Sequence, residues 1–161
     1  MGHFHRLDGE GRFNRFLGPV SDDGAAAYAA RALGAAGRVY GAFVGDTLRG
    51  IGELRPARGH RLGAEAEAAF TVEAPFRRRG LGTALARRVA EAGRNAGVRQ
   101  LHMRVLARNR PMRALAQGLG ADLRAAGRET HAVLALAPAT LFSLWQESWD
   151  GLFEAALTMM P

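Results

Sequence analysis

The chain holds 161 residues, 48% hydrophobic and 23% charged, a length and balance that suit one domain with its own core and exclude a disordered chain. Its 22 basic residues are all arginine, against 15 acids, for a formal charge of +7. That surplus fits a polyphosphate ligand, whereas scattered arginines, only two Trp and two Tyr, and no zinc or helix-turn-helix spacing argue against nucleic acid, and the absence of cysteine excludes disulfides and thiol catalysis.

The opening residues, Met1 to Asp8, contain no apolar run of the signal-peptide kind, and no later stretch has the length of a membrane span, so the expected location is the cytoplasm, without membrane contact. Residues 8–17 place Phe13, Phe16 and Leu17 on one helical face, with both rings expected in the core, and Gly18-Pro19 ends that helix. Ser21 or Asp22 caps a second helix with a small-residue face. Next, 39–44 and 48–54 flank Gly45-Asp46-Thr47 and predict a β-hairpin, followed by a basic loop over 55–61.

A mostly buried strand is expected over about 65–73. It leads into Arg77-Arg78-Arg79-Gly80-Leu81-Gly82-Thr83, and then a helix to about Ala96 with Leu81, Leu85, Val89 and Ala92 at helical spacing. Val98 to Leu106 alternates Leu101, Met103 and Val105 with polar residues and reads as the next strand. Asn109-Arg110-Pro111 starts a helix that ends near Gly118-Leu119-Gly120. A last hairpin turns around Gly127. Beyond Pro138 the apolar residues recur every three or four positions to Met160, which predicts an amphipathic helix over 138–161 that packs on its own domain or on a second subunit as a homodimer.

The glycine turn is the chemically informative stretch. Glycines let backbone approach a ligand closely, and the unpaired N–H groups of a first helical turn sit at the positive end of the helix dipole, where phosphate binds. Three arginines add charge for a diphosphate. An ordinary loop with a solvated arginine cluster is the plainer reading of the same residues. The dinucleotide fingerprint fails because position 85 is Leu, and the P-loop fails because the chain has no lysine.

Arg77, Gly80 and Gly82 match the Arg/Gln-x-x-Gly-x-Gly/Ala signature of the GNAT N-acetyltransferase family. Asn109, Met112 and Leu115, followed by Gly118-Leu119-Gly120-Ala121, resemble the segment that closes the same family's coenzyme A site. The chain resembles most the bacterial branch that acetylates protein lysines, through Arg12-Phe13-Asn14-Arg15-Phe16 and Ala66-Glu67-Ala68-Ala69-Phe70-Thr71-Val72. The resemblance covers roughly residues 5–137 and implies a GNAT domain over 1–137: an α/β fold with a central mixed, mostly antiparallel sheet flanked by helices.

It also implies acetyl-CoA as cosubstrate, no metal, and direct transfer to a primary amine, a protein lysine or else a small amine metabolite. The alternative is a non-catalytic coenzyme A sensor. The diphosphate would rest on backbone across Arg78, Arg79, Gly80, Leu81, Gly82 and Thr83 with help from Arg77. Pantetheine would line the strand edge at Phe70, Thr71 and Val72, with Asn109 and Met112 opposite. Glu67 takes the place of the catalytic glutamate, as a base for an amine whose ordinary pKa near 10.4 keeps it protonated; Glu65 and Glu73 are the alternatives. Many relatives carry a tyrosine after the motif's leucine to protonate the leaving sulfur, whereas here Leu115 is followed by Ala116. With neither cysteine nor lysine, the protein forms no acetyl-cysteine and cannot acetylate lysines of its own. His60, His102 and His131 are unclustered and read as structural.

Overall fold

The computed structural model describes residues 2–34 and 37–139. The predicted helix over 138–161 lies outside these residues apart from its first two positions.

Six strands form one sheet in the order β1-β2-β3-β4-β6-β5: β1 Arg38–Val44, β2 Thr47–Pro56, β3 Glu65–Val72, β4 Gln100–Leu106, β5 Asp122–Ala126 and β6 Glu129–Ala135. Every neighbouring pair is antiparallel except β3 with β4. The helices are α1 Gly2–His5, α2 Gly9–Phe16, α3 Asp22–Gly34, α4 Leu81–Asn95 and α5 Arg110–Gly118. The mixed, mostly antiparallel sheet expected from the sequence is therefore present, with helices flanking it.

Local chemistry explains the boundaries. Asp8 caps α2 by accepting the Gly11 N–H, and Leu17, in the left-handed region, closes it. Asn109 caps α5 through Oδ1, which accepts the Met112 N–H at 3.2 Å. Gly97, with φ +81°, stops the chain after α4. The predicted strand at Val98 starts at Gln100 instead, although Arg99 N–H already reaches the Ala64 carbonyl. The predicted basic loop at 55–61 is shorter, because β2 continues through Pro56. The short α1 has too few residues for a periodic signal, and the sequence does not announce it.

Two cores sit against the sheet. On one face α4 brings Leu85, Val89 and Ala92 onto β1–β3, joined by Leu54, Ala66, Ala68, Leu101, Met103 and Ala116. The close approach needs the glycines of β2: a Cβ at Gly52 would lie 3.0 Å from Val89 Cγ2, and one at Gly50 would lie 3.1 Å from Leu85 Cδ1. The second core is Phe4, Leu7, Ala25, Ala29 and Ile51, with Phe16 and Tyr28 packed on it. The expectation that both helix rings are core holds only in part. Both rings are half-buried: Phe16 meets Phe4 and Tyr28 with ring centroids 5.9 and 5.1 Å apart, whereas Phe13 lies away from that core beneath the Arg108 guanidinium, 4.6 Å from its ring centroid.

Candidate active site

The β3–β4 ladder is parallel and short, running only from Glu65–Gln100 to Glu67–His102. Beyond it β3 follows β2 up to Val72, while β4 follows β6 up to Leu106. The two strands diverge, leaving 68–72 with no ladder partner on the β4 side. A cavity of about 970 Å³ fills the gap, a size at the upper end for small-molecule sites. Ala68 to Val72 form one wall, Met103 to Val105 another, and Asn109, Met112 and Leu115 close it from α5. The side facing α2 is lined by Glu10, Gly11, Asn14 and Arg15, positions that share one face of that helix.

At the far end, Gly80 caps α4 with φ +85° and Arg78 also adopts a positive φ of 58°, the backbone shape that brings successive N–H groups round to one side. The α4 ladder opens with Ala84 N–H donating to the Gly80 carbonyl, so the N–H groups of Leu81, Gly82 and Thr83 precede it and point off the helix end. Arg77, expected to help hold a diphosphate, lines the cavity and is also bonded within the protein. Its Nε donates to the Val72 carbonyl at 3.0 Å and its two terminal nitrogens to the Asp8 carboxylate. Arg77 therefore ties the end of β3 to the cap of α2, and Arg78 and Arg79 are the exposed guanidinium groups at the turn. Of the twelve residues expected to bind the cofactor, all but Leu81 line the cavity.

The three candidate bases occupy unlike places. Glu67 is exposed at the last rung of the β3–β4 ladder, facing Arg55 across β2. By strand alternation it shares its face with Ala69 and Thr71, the face on which α1–α3 pack. It lies just outside the cavity wall and within electrostatic reach of Arg104. Glu65 is exposed one alternation further out, its carboxylate 3.9 Å from His102 Nε2. Glu73 is buried instead, held by Arg6 Nε and Arg49 Nη1, each at 2.8 Å, with His3 Nδ1 at 3.3 Å. Burial pushes its carboxyl up, but the hydrogen bonds from Arg49 and Arg6 outweigh this and hold it below its ordinary range. A carboxylate so committed is an anchor for the N-terminal segment, not a free base.

A second buried carboxylate escaped the sequence reading. Glu53 in β2 is 1% exposed and receives Arg15 Nη2, the Tyr28 hydroxyl at 2.7 Å and Arg55 Nε at 2.8 Å. Burial raises its pKa, yet the charge and hydrogen bond of Arg15 prevail and the group is held low; burial, aided by Glu53, pushes Tyr28 up to about 12. The cluster fixes α2 and α3 on the sheet beside Ala69. Its signal was a glutamate inside the otherwise apolar Gly50-Ile51-Gly52-Glu53-Leu54, a place where a charge must be paired.

Ala116, where many relatives place tyrosine, is wholly buried in the core. Among the described residues lining the cavity there is no tyrosine, histidine or cysteine. Nor does any group of three or more His, Asp or Glu suited to a metal occur among the described residues. None of their helices is long and apolar enough to cross a membrane.

A parallel strand pair that splays beside a free helix N-terminus defines the α/β class of acyl-coenzyme A-dependent acyltransferase folds. The model of the acetyltransferase (GNAT) family matches residues 10–121, and the chain belongs to that family. No curated protein matches the chain. Among solved structures, the GNAT domain of S. lividans PAT is similar with a TM-score of 0.70 and 21% identity, covering 84% of this chain and 82% of that one. The putative acetyltransferase yncA from Salmonella typhimurium, solved with acetyl-CoA, gives a TM-score of 0.60 at 21% identity over 76% and 77% of the two chains. An acetyltransferase from Bacillis subtilis in complex with CoA gives 0.58 at 18% identity over 81% and 94%. These likenesses speak to the fold.

Proposed function

We propose that the protein is an N-acetyltransferase that moves the acetyl group of acetyl-CoA directly to a primary amine. The observation that carries this reading is the unpaired edge of β3 at 68–72 meeting the free N–H groups that open α4. One supplies backbone for a strand-like pantetheine and the other a seat for the diphosphate, beside Arg78 and Arg79. Two solved structures of similar fold carry acetyl-CoA or CoA. A protein lysine is the favoured acceptor, on the motif resemblance and the likeness to the S. lividans PAT domain; a small amine is the second choice.

Within this reading Glu67 takes the proton from the acceptor amine, directly or through one water, from the face on which α2 packs. The free amine attacks the thioester carbonyl, a backbone N–H near Val72 stabilises the oxyanion, and the thiolate departs. Among the described residues no cavity-lining side chain offers an evident acid, so that thiolate takes its proton from solvent or from the attacking amine. The reaction needs no metal. The rival reading, a coenzyme A sensor without turnover, is favoured by Ala116 alone.

Thiol release from acetyl-CoA, measured across polyamines, amino acids, amine antibiotics and lysine-bearing proteins, separates the two. The proposal expects amine-dependent release with at least one class. Saturable acetyl-CoA binding with no release for any of them would favour the sensor.

A further inference from the structure

The last residues of β3 are gripped by a side chain from the start of the chain. His3, in α1, is buried together with Thr71 and Glu73, and its ring lies between them: Nε2 is 2.7 Å from Thr71 Oγ1, and Nδ1 is 3.3 Å from a Glu73 carboxylate oxygen. Burial lowers the pKa of His3 and outweighs the opposing pull of Glu73, so at neutral pH the ring is uncharged and carries one proton. That proton belongs on Nδ1, facing the carboxylate that Arg6 and Arg49 keep ionised. Nε2 then accepts the Thr71 O–H.

Between these two anchors stands Val72, which lines the cavity. Glu73 N–H donates to the Arg49 carbonyl at 2.9 Å, so by the alternation of an antiparallel pair the backbone groups of Thr71 and Glu73 face β2 and those of Val72 face away from it. The Val72 carbonyl agrees, since it accepts Arg77 Nε at 3.0 Å outside the ladder. The Val72 N–H therefore points into the gap between β3 and β4. One imidazole holds the side chains on both sides of the residue whose N–H faces the cavity.

We propose that His3 is a positioning residue for the acyl group: by clamping Thr71 and Glu73 it aims the Val72 N–H at the thioester carbonyl. This rests on the transferase reading and adds what fixes its oxyanion donor. Such a donor must already stand where charge develops, and the β3–β4 ladder, which ends at Glu67, does not reach this part of the strand. His3 supplies the constraint from α1. It touches neither acetyl-CoA nor the amine, so its effect falls on the chemical step and not on cofactor affinity.

The test uses the full chain and three variants. His3→Leu removes both bonds, His3→Gln restores a donor and an acceptor, and Thr71→Val breaks only the Thr71 end while Glu73 keeps its arginines. Infrared difference spectra of acetyl-CoA, isotopically labelled at the thioester carbonyl carbon, read the polarisation of that carbonyl directly. Binding to the wild type is expected to lower its stretching frequency. His3→Leu and Thr71→Val are expected to lose most of that shift and about ten- to a hundredfold in kcat, with the dissociation constant of acetyl-CoA unchanged. His3→Gln is expected to recover both.

A full shift and full kcat in His3→Leu and Thr71→Val would overturn the proposal and leave His3 a packing residue; Thr71→Val decides should His3→Leu fail to fold. An unshifted carbonyl in acetyl-CoA bound to the wild type would overturn it as well. A shift that depends on His3, without turnover of any amine, would uphold the proposal and defeat the transferase reading instead.

Discussion

Replacing Glu67 by Gln is expected to lower kcat about 10²- to 10⁴-fold while leaving the dissociation constant of acetyl-CoA unchanged. The side chain is exposed on the face of β3 shared by Ala69 and Thr71, and the proposed cofactor surfaces, the strand edge at 68–72 and the turn at 78–83, are backbone. Gln keeps the volume and the hydrogen-bonding oxygen and removes only the capacity to take a proton, so a loss confined to kcat isolates that function. Calorimetry and steady-state kinetics on the same preparation check it. Unchanged turnover would remove Glu67 from the mechanism and make Glu65 the next candidate, since Glu73 is held between Arg6 and Arg49.

The largest effect on stability is expected at Glu53. Its carboxylate neutralises Arg15, whose side chain is only 9% exposed, so Glu53→Gln strands a buried guanidinium. Removing one partner of such a pair costs about 3–5 kcal/mol, or a drop in melting temperature of about 6–20 °C for a chain of this size. Arg15 also lines the cavity, so amine turnover falls with stability. The sign of the pH dependence follows from the direction of the shift. Glu53 and Glu73 are both held below the ordinary value of 4.5, so the stability they contribute is complete above that pH and lost as pH falls below it. The gap between wild type and Glu53→Gln should therefore narrow below pH 4.5 in thermal scans. A melting temperature within two or three degrees of wild type at neutral pH would contradict the assigned role of the cluster.

The pattern of residues revealed most of the fold. Alternation identified β4 through Leu101, Met103 and Val105, and helical spacing located α4 to within a residue or two at each end. Glycine marked the turns at Gly45, Gly97 and Gly127, all with positive φ. These are local signals, and local sterics decide them. The long-range ion pairs were not legible. Glu73 with Arg6 and Arg49, Glu53 with Arg15, and Asp8 with Arg77 join residues 24 to 69 positions apart, and no periodicity encodes which arginine among 22 meets which acid. For that reason neither the burial of Glu73 between two arginines nor the tie of Arg77 to Asp8 could be read from the sequence.

The site was legible to the extent that it is made of backbone. A glycine turn followed by a helix announces free N–H groups whatever surrounds it, which is why Gly80, Gly82 and Thr83 stand out from the sequence. The α2 wall is made of side chains, and its cavity-facing stripe of Glu10, Asn14 and Arg15 depends on how the helix lies across the splayed strands. Phe13 and Phe16 masked that stripe by suggesting a face turned entirely to the core.

The most direct test of where acetyl-CoA sits is hydrogen–deuterium exchange of the protein with and without it. Slower exchange is expected at residues 68–72 and 81–83 on binding, where free strand edge and free helix N–H groups become paired, with the β1 and β5 edges unchanged. Saturable binding that protects neither segment would place the cofactor elsewhere than between the splayed strands.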